Sequence, residues 1–299
     1  MTARYVVGID LGTSNSALAY IDTAELPRRL VCFPVPQLVG PGDVAALPTL
    51  PSLHHQVGEY ELPREATRLP FEVPGAGPDP TYVVGELARL QALVVPGRTV
   101  ASAKSWLCHT RVDRLRDFLP WGGGPDVPRI SPVEASARYL RHLCAALRHQ
   151  LGVAIGAGSP SPHSTNAAEA PEVVLTVPAS FDEVSRELTV EAARRAGLPL
   201  ERPTLLEEPQ AAFYSWLADH ARYAEEVGAG DQILVCDIGG GTTDFTLIAV
   251  HKAEGRVSFQ RTAVGDHLLL GGDNMDLLLA RRIEKRLLAP GAPPLPPAQ

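Results

Sequence analysis

Two short turns carry the residues that could do chemistry. Ile9-Asp10-Leu11-Gly12-Thr13-Ser14 and Cys236-Asp237-Ile238-Gly239-Gly240-Gly241-Thr242 share one pattern: an aspartate near the end of an apolar run, an aliphatic residue, glycine, then hydroxyl-bearing residues before a second apolar run. Glycine lets backbone N–H groups approach an anion closely, and the hydroxyls of Thr13, Ser14 and Thr242 add donors for phosphate oxygens. An aspartate beside a polyphosphate is repulsive unless a divalent cation lies between them. Magnesium suits that place, because it accepts few carboxylates and keeps several waters. Asp10 and Asp237 are the candidate metal carboxylates, acting mostly through water. Two such turns facing each other would grip a polyphosphate, whereas either alone could be an ordinary hairpin turn. No G-x-x-x-x-G-K-[ST] run occurs, so a P-loop is excluded as the phosphate site.

The elements that must position these turns are readable from periodicity. Residues 5–10 and 16–21 predict a hairpin around the first turn. Residues 233–237 repeat the first strand, 245–250 continue it, and 256–263 follow Glu254-Gly255 as a further hairpin partner. Ser131-Pro132-Val133-Glu134 is a capping box with proline at the first helical position. Val133, Leu140, Leu143, Leu147 and Leu151 then keep helical spacing up to Gly152. Residues 173–177 read as a buried strand, 182–196 as a helix stopped by Gly197, with further helices from Pro209 and over 273–288. Proline-rich stretches at 34–80, 121–128 and 156–171 read as loops or insertions, and 289–299 as a linker-like tail.

Bulk properties narrow the function classes. At 299 residues and 45% hydrophobic content the chain can bury a sizeable core. Its net charge of -7 and lack of a basic block argue against a nucleic-acid partner. No apolar run approaches the ~18 residues that span a bilayer, so no membrane role is expected. Cys32, Cys108, Cys144 and Cys236 show no C-x-x-C spacing, and Met1 leads into the first strand without a basic, cleavable signal. A reduced, cytoplasmic protein is expected.

At this point the motifs resemble a known family. Ile9-Asp10-Leu11-Gly12-Thr13-Ser14-Asn15-Ser16 is similar to the first phosphate motif of the heat-shock-70 (DnaK-like) family, within the actin-like ATPase superfamily. Asp237-Ile238-Gly239-Gly240-Gly241-Thr242-Thr243-Asp244 is similar to the second. Leu175-Thr176-Val177-Pro178-Ala179-Ser180-Phe181 resembles the family's strand and turn, and Glu207-Glu208-Pro209-Gln210-Ala211-Ala212 its Glu-Pro segment. Gly265-Asp266 through Leu270-Gly271-Gly272-Asp273-Asn274-Met275-Asp276 resembles its second-lobe glycine loop. The resemblance covers nearly the whole chain apart from 34–80 and the other Pro/Gly-rich loops.

The resemblance implies an α/β fold of the actin-like ATPase (ribonuclease H-like) type with two lobes, the first complete and the second partial. Residues 1–34 and 130–227 would form the first-lobe core, 35–129 its outer subdomain with a Pro-rich insertion, 228–288 the partial second-lobe core, and 289–299 a Pro-rich tail. ATP or ADP with Mg2+ are the implied ligands. Asp10 and Asp237 would hold the hydrated metal, and Gly12, Thr13, Ser14, Gly239, Gly240, Gly241 and Thr242 would bind phosphates. Glu208 would help to position the attacking water, with Asp237 and Thr242 also in the catalytic set. Lys104, within Ala103-Lys104-Ser105-Trp106-Leu107, would reach the γ-phosphate. Asp244 would orient water or metal, or act as a structural cap. Thr243 departs from the pattern, standing where an aromatic is common.

The implied reaction is in-line attack of water on the γ-phosphate, driven by positioning and charge. The implied partners, in a longer protein, are unfolded peptides and cochaperones. The chain is expected to stop before the family's adenosine-side subdomain and peptide-binding domain, which leaves nucleotide binding weak or absent and exposes apolar surface that favours self-association. Two other classes compete: a non-hydrolysing scaffold or filament-type relative, and an actin-like sugar kinase, for which no base aspartate is evident. His54-His55 reads as a solvated loop pair, Cys236 as a small core residue, and Trp106, Trp121 and Trp216 as separate core or interface residues.

Overall fold

The computed structural model describes residues 3–77, 81–152, 155, 171–198, 204–220, 222–253, 256–266 and 268–288. The readings of residues 156–170, of Glu254-Gly255 and of 289–299 lie outside them. In chain order the elements are β1 (Tyr5–Leu11), β2 (Asn15–Asp22), β3 (Val31–Cys32), β4 (Val35–Gly40), β5 (Asp43–Leu47), β6 (Leu50–Pro51), β7 (His54–Gln56), β8 (Tyr82–Val84), α1 (Glu86–Val94), β9 (Thr99–Val100), α2 (Ala103–Leu107) and α3 (Pro132–Leu151). They continue with β10 (Glu172–Val177), α4 (Glu183–Arg195), β11 (Thr204–Glu207), α5 (Glu208–Asp219), α6 (Tyr223–Glu226), β12 (Gln232–Ile238), β13 (Thr243–Ala253), β14 (Arg256–Val264) and α7 (Gly272–Leu287). The chain falls into two compact units: the first runs to Leu175 and includes Glu183–Thr204, and the second holds Thr176–Asp182 and the described residues from Leu205 onward.

In the first unit β1 is central to a mixed sheet. It pairs antiparallel with β2, setting Ile9 opposite Leu18, and parallel with β10, setting Ile9 opposite Leu175. β3 and β6 both pair with β2. Side chains alternate along a strand, and Val7, Ile9 and Leu11 are buried while Asp10 between them is exposed. Burying each of those aliphatic side chains contributes about 1.5–3 kcal/mol, so the register that anchors β1 also fixes which way Asp10 faces.

The helix α3 packs on β1, β2 and α4. Its predicted cap is half formed. Ser131 Oγ accepts the Glu134 N–H at 3.1 Å, but the Glu134 carboxylate bonds Arg138 (3.0 Å) and Arg141 (2.8 Å) instead of reaching back. Burial pushes that carboxyl's pKa up, and the two guanidinium groups outweigh it and hold it below the usual value. Gly152, at φ 66°, ends the helix in the left-handed region, where a side chain would be strained.

The stretch 34–80 corrects the sequence reading. Proline density suggests a loop, yet β4 to β7 lie within it, and Val35, Leu38, Leu50, His54, His55 and Gln56 are buried. Pro36 and Pro51 sit in short strands near sheet margins, where a missing N–H is tolerated. His54 and His55 are therefore not a solvated pair. His54 stacks on Tyr82 with 4.9 Å between centroids and bonds Arg138 at 2.7 Å. His55 bonds Thr99 (2.7 Å) and Glu61 (3.2 Å). Burial holds the pKa of each below the usual imidazole range, and nearby Arg138 adds to this for His54. The tryptophans are not all separate either. Trp106 and Trp121 stack at 5.6 Å, with Phe118 edge-on to both.

The second unit is built on the antiparallel order β12-β13-β14, with α5 packed on β12 and β13. Phe213 of α5 meets Phe259 of β14 edge-on at 4.9 Å. Cys236 is exposed, not in a core, as are Leu234 and Ile238 beside it on β12. α7 buries none of its residues. No described helix is long and apolar enough to cross a membrane.

Candidate functional site

The two turns singled out in the sequence are structurally alike. Asp10 is the penultimate residue of the seven-residue β1 and Asp237 the penultimate residue of the seven-residue β12. Each strand folds back antiparallel through its glycine-bearing turn, pairing Leu11 with Ser16 and Ile238 with Thr243. The turns belong to different units.

In the first unit the structure brings Asp10, Gly12, Thr13 and Ser14 together at the β1–β2 turn, with Asp10 and Ser14 exposed and Gly12 and Thr13 half-buried. A Cβ on Gly12 would lie 2.1 Å from the Asn15 carbonyl oxygen, so only glycine closes this turn. A residue that sequence reasoning missed holds it. Ser52, which follows β6, donates its hydroxyl to the Gly12 carbonyl (2.8 Å) and its N–H to the Ser14 carbonyl (2.8 Å). The buried Ser16 hydroxyl completes the chain by bonding Ser52 Oγ at 2.9 Å. With these carbonyls tied to Ser52, the turn is preformed before any ligand arrives.

Lys104 sits on the short α2 and is only 8% exposed, an uncommon position for a lysine. Ser102, just before that helix, has φ 51° and is the single non-glycine residue with positive φ among those described. Strain of that kind persists where the surroundings over-determine it, often at functional sites.

In the second unit Gly239, Gly240, Gly241 and Thr242 form the β12–β13 turn, closed by the Gly239 N–H to the Thr242 carbonyl at 2.9 Å. The first N–H groups of α7 cap it: Gly272 donates to the Gly239 carbonyl (3.0 Å) and Asp273 to the Gly240 carbonyl (2.9 Å). A Cβ on Gly271 would lie 2.4 Å from the Gly240 oxygen, which explains glycine there. Thr243 donates its hydroxyl to the Leu270 carbonyl (2.7 Å), so the residue that departs from the family pattern ties strand to loop. Asp237 is half-buried and its ladder partner Asp244 is 2% exposed. Glu208 opens α5, ahead of Pro209, and Glu207 before it is paired with Arg261.

The donors on offer are all oxygens, which fits a hard cation such as magnesium. Among the described residues no group of three or more His, Cys, Asp or Glu side chains is arranged to hold a metal by itself. Carboxylates acting through water, completed by phosphate oxygens, fit that arrangement better than a closed protein cage.

A mixed α/β chain with twin strand-aspartate-glycine turns is consistent with the actin-like ATPase class of fold. Residues 163–288 match the family model described as Hsp70 protein. Over 94% of its length the chain is 32% identical to the chaperone protein HscA homolog of Azotobacter vinelandii, of which it spans 37%. It is 29% identical to the homolog of Pseudoalteromonas atlantica over 97% of its length and 39% of the relative's. It is also 31% identical to that of Pseudomonas aeruginosa over 93% and 37%. Residues 163–288 thus resemble the Hsp70 family, and the chain is similar over most of its length to little more than a third of those chaperones.

Proposed function

We propose that the chain is the ATP-binding, slowly ATP-hydrolysing module of an Hsp70-like chaperone with a two-lobed organisation, working in the cytoplasm. The observation that carries this is the twin placement of Asp10 and Asp237, each one residue from its strand end and next to a glycine-bearing turn. The amides and hydroxyls of Gly12, Thr13 and Ser14, and of Gly239, Gly240, Gly241 and Thr242, bind phosphate oxygens, while Asp10 and Asp237 orient metal-bound water. Magnesium, when bound, supplies positive charge that offsets what develops on the phosphates. Lys104 adds a second cation toward the γ-phosphate, and Glu208 orients the attacking water. Peptide clients and cochaperones belong to this reading through the family alone.

Calorimetric titration of the whole chain with magnesium ADP tests it. Weak, saturable binding that Asp10→Asn abolishes and Lys104→Met leaves nearly intact is the expected result, with the loss of ATP turnover in Lys104→Met read on a longer version of the protein. Heats that ignore both carboxylates, Asp10 and Asp237, would rule it out.

One observation favours a second reading, a self-associating scaffold: Leu234, Ile238, Met275 and Leu278 are each more than half exposed in the second unit. Sedimentation with and without nucleotide separates the two, since the scaffold assembles regardless of nucleotide.

A further inference from the structure

We propose that the first unit carries a separate ligand site, away from the glycine turns, built for a medium-chain monocarboxylate. A cleft of about 470 Å3 lies among α3, β4, β8 and the segment 67–77, within the roughly 300–1,000 Å3 range of small-molecule sites. Close-packed interiors leave few voids larger than a water, so a space of this size is a feature of the unit. Leu38, Leu69, Phe71 and Val83 give it apolar walls, and Arg138 and His142 give it polar groups.

The segment forming one wall is pinned. Phe71 packs edge-on against His142 at 5.6 Å and in a tilted arrangement against His149 at 5.5 Å, two turns further along α3. Gly75 and Gly77, at φ +80° and +76°, turn the chain beyond it with open space where a Cβ would be. At the other end the Gly42 N–H holds the Ala66 carbonyl at 2.9 Å. The wall is thus a strap fastened at Ala66 and at Phe71.

Arg138 supplies the recognition. Its Nε bonds Glu134 (3.0 Å), its Nη1 bonds His54 Nε2 (2.7 Å), and its guanidinium carbon lies 4.0 Å from the Tyr82 ring centroid. Nη2 makes no hydrogen bond within the described residues, which leaves two N–H groups for a carboxylate. His54, kept neutral by burial, accepts from Arg138 and so holds the guanidinium in place. His142 donates Nε2–H to the Pro36 carbonyl at 2.9 Å and is neutral as well. Arg68 and Glu72 also border the cleft and offset each other in charge. Among the described lining residues Arg138 is joined mainly by apolar side chains and by no cluster of serine or threonine hydroxyls, so the chemistry matches one carboxylate on an apolar tail and not a polyphosphate.

The test is calorimetric titration of the full chain with decanoate and, in parallel, decanol. One saturable decanoate site is expected. Ala76→Trp, which fills the cleft from the strap, should weaken it at least tenfold without lowering the melting temperature. Arg138→Met should erase the preference for decanoate over decanol. Leu278→Glu, on the exposed face of α7, should leave binding unchanged. The proposal is overturned by absence of saturable binding, by equal affinity in Ala76→Trp, or by loss of binding in Leu278→Glu.

Discussion

Asp237 and Asp244 stand directly opposite each other in the β12–β13 ladder, on the two strands that flank the glycine turn. Like charges opposed across a sheet cost up to about 1 kcal/mol, and Asp244 is almost wholly buried. A cation between or beside them would turn that cost into a gain. Asp244→Asn should therefore raise stability by about 0.5 kcal/mol without magnesium and abolish the added stability that magnesium nucleotide confers. Urea unfolding with and without magnesium ADP reads both effects, and a variant that keeps its magnesium response shows that the pair is not part of a metal site.

Ser52 ties the first turn together through two bonds to its carbonyls. Ser52→Ala leaves the Gly12 carbonyl and the Ser16 hydroxyl without their partner, at about 1–3 kcal/mol. Nucleotide affinity should fall with stability, because the turn must then be ordered on binding. Ser16→Ala removes only the outer bond and should cost less. Equal losses in the two variants would contradict this order.

Gly271 has no room for a side chain beside the Gly240 oxygen. Gly271→Ala should push the start of α7 away from the turn and destabilise the second unit by about 1–3 kcal/mol, while Gly75→Ala, at a site with open space, is limited to the strain of its positive φ. Thermal unfolding of the two variants distinguishes a steric effect from a conformational one.

Acid should weaken the first unit. Burial pushes the His142 pKa down to about 4, against an ordinary 6.5, so the fold holds the neutral ring and the unfolded chain takes up the proton first. The stability this represents is fully present above about pH 6.5 and is lost as pH falls toward 4, about 3 kcal/mol in all. The lowered values of His54 and His55 act in the same direction. Urea midpoints measured from pH 7 to pH 4.5 should fall, and His142→Gln should flatten the decline.

Much of this was legible in the residue order, for physical reasons that also mark its limits. The hairpins around Asp10 and Asp237 show because strand alternation and a glycine turn are local signals. α3 shows because a cap, a proline and a leucine stripe agree. β4 to β7 were hidden because prolines at strand margins look like loop prolines, and their burial depends on partners such as β8 and β9 that lie far along the chain. Ser52 left no trace for the same reason: one serine forty residues from the turn it holds has no spacing to read. Trp106 and Trp121 meet because the chain between them folds back, which no spacing in the sequence announces.

The attachment of α7 has a further consequence for motion. A helix with no buried residue has little packing to resist local opening. Its first two N–H groups nonetheless hold the carbonyls of Gly239 and Gly240. Each time the first turn of α7 frays, the second glycine turn loses its backing, so amide exchange in the two segments should follow one opening rate, while the buried middle of α3 exchanges far more slowly.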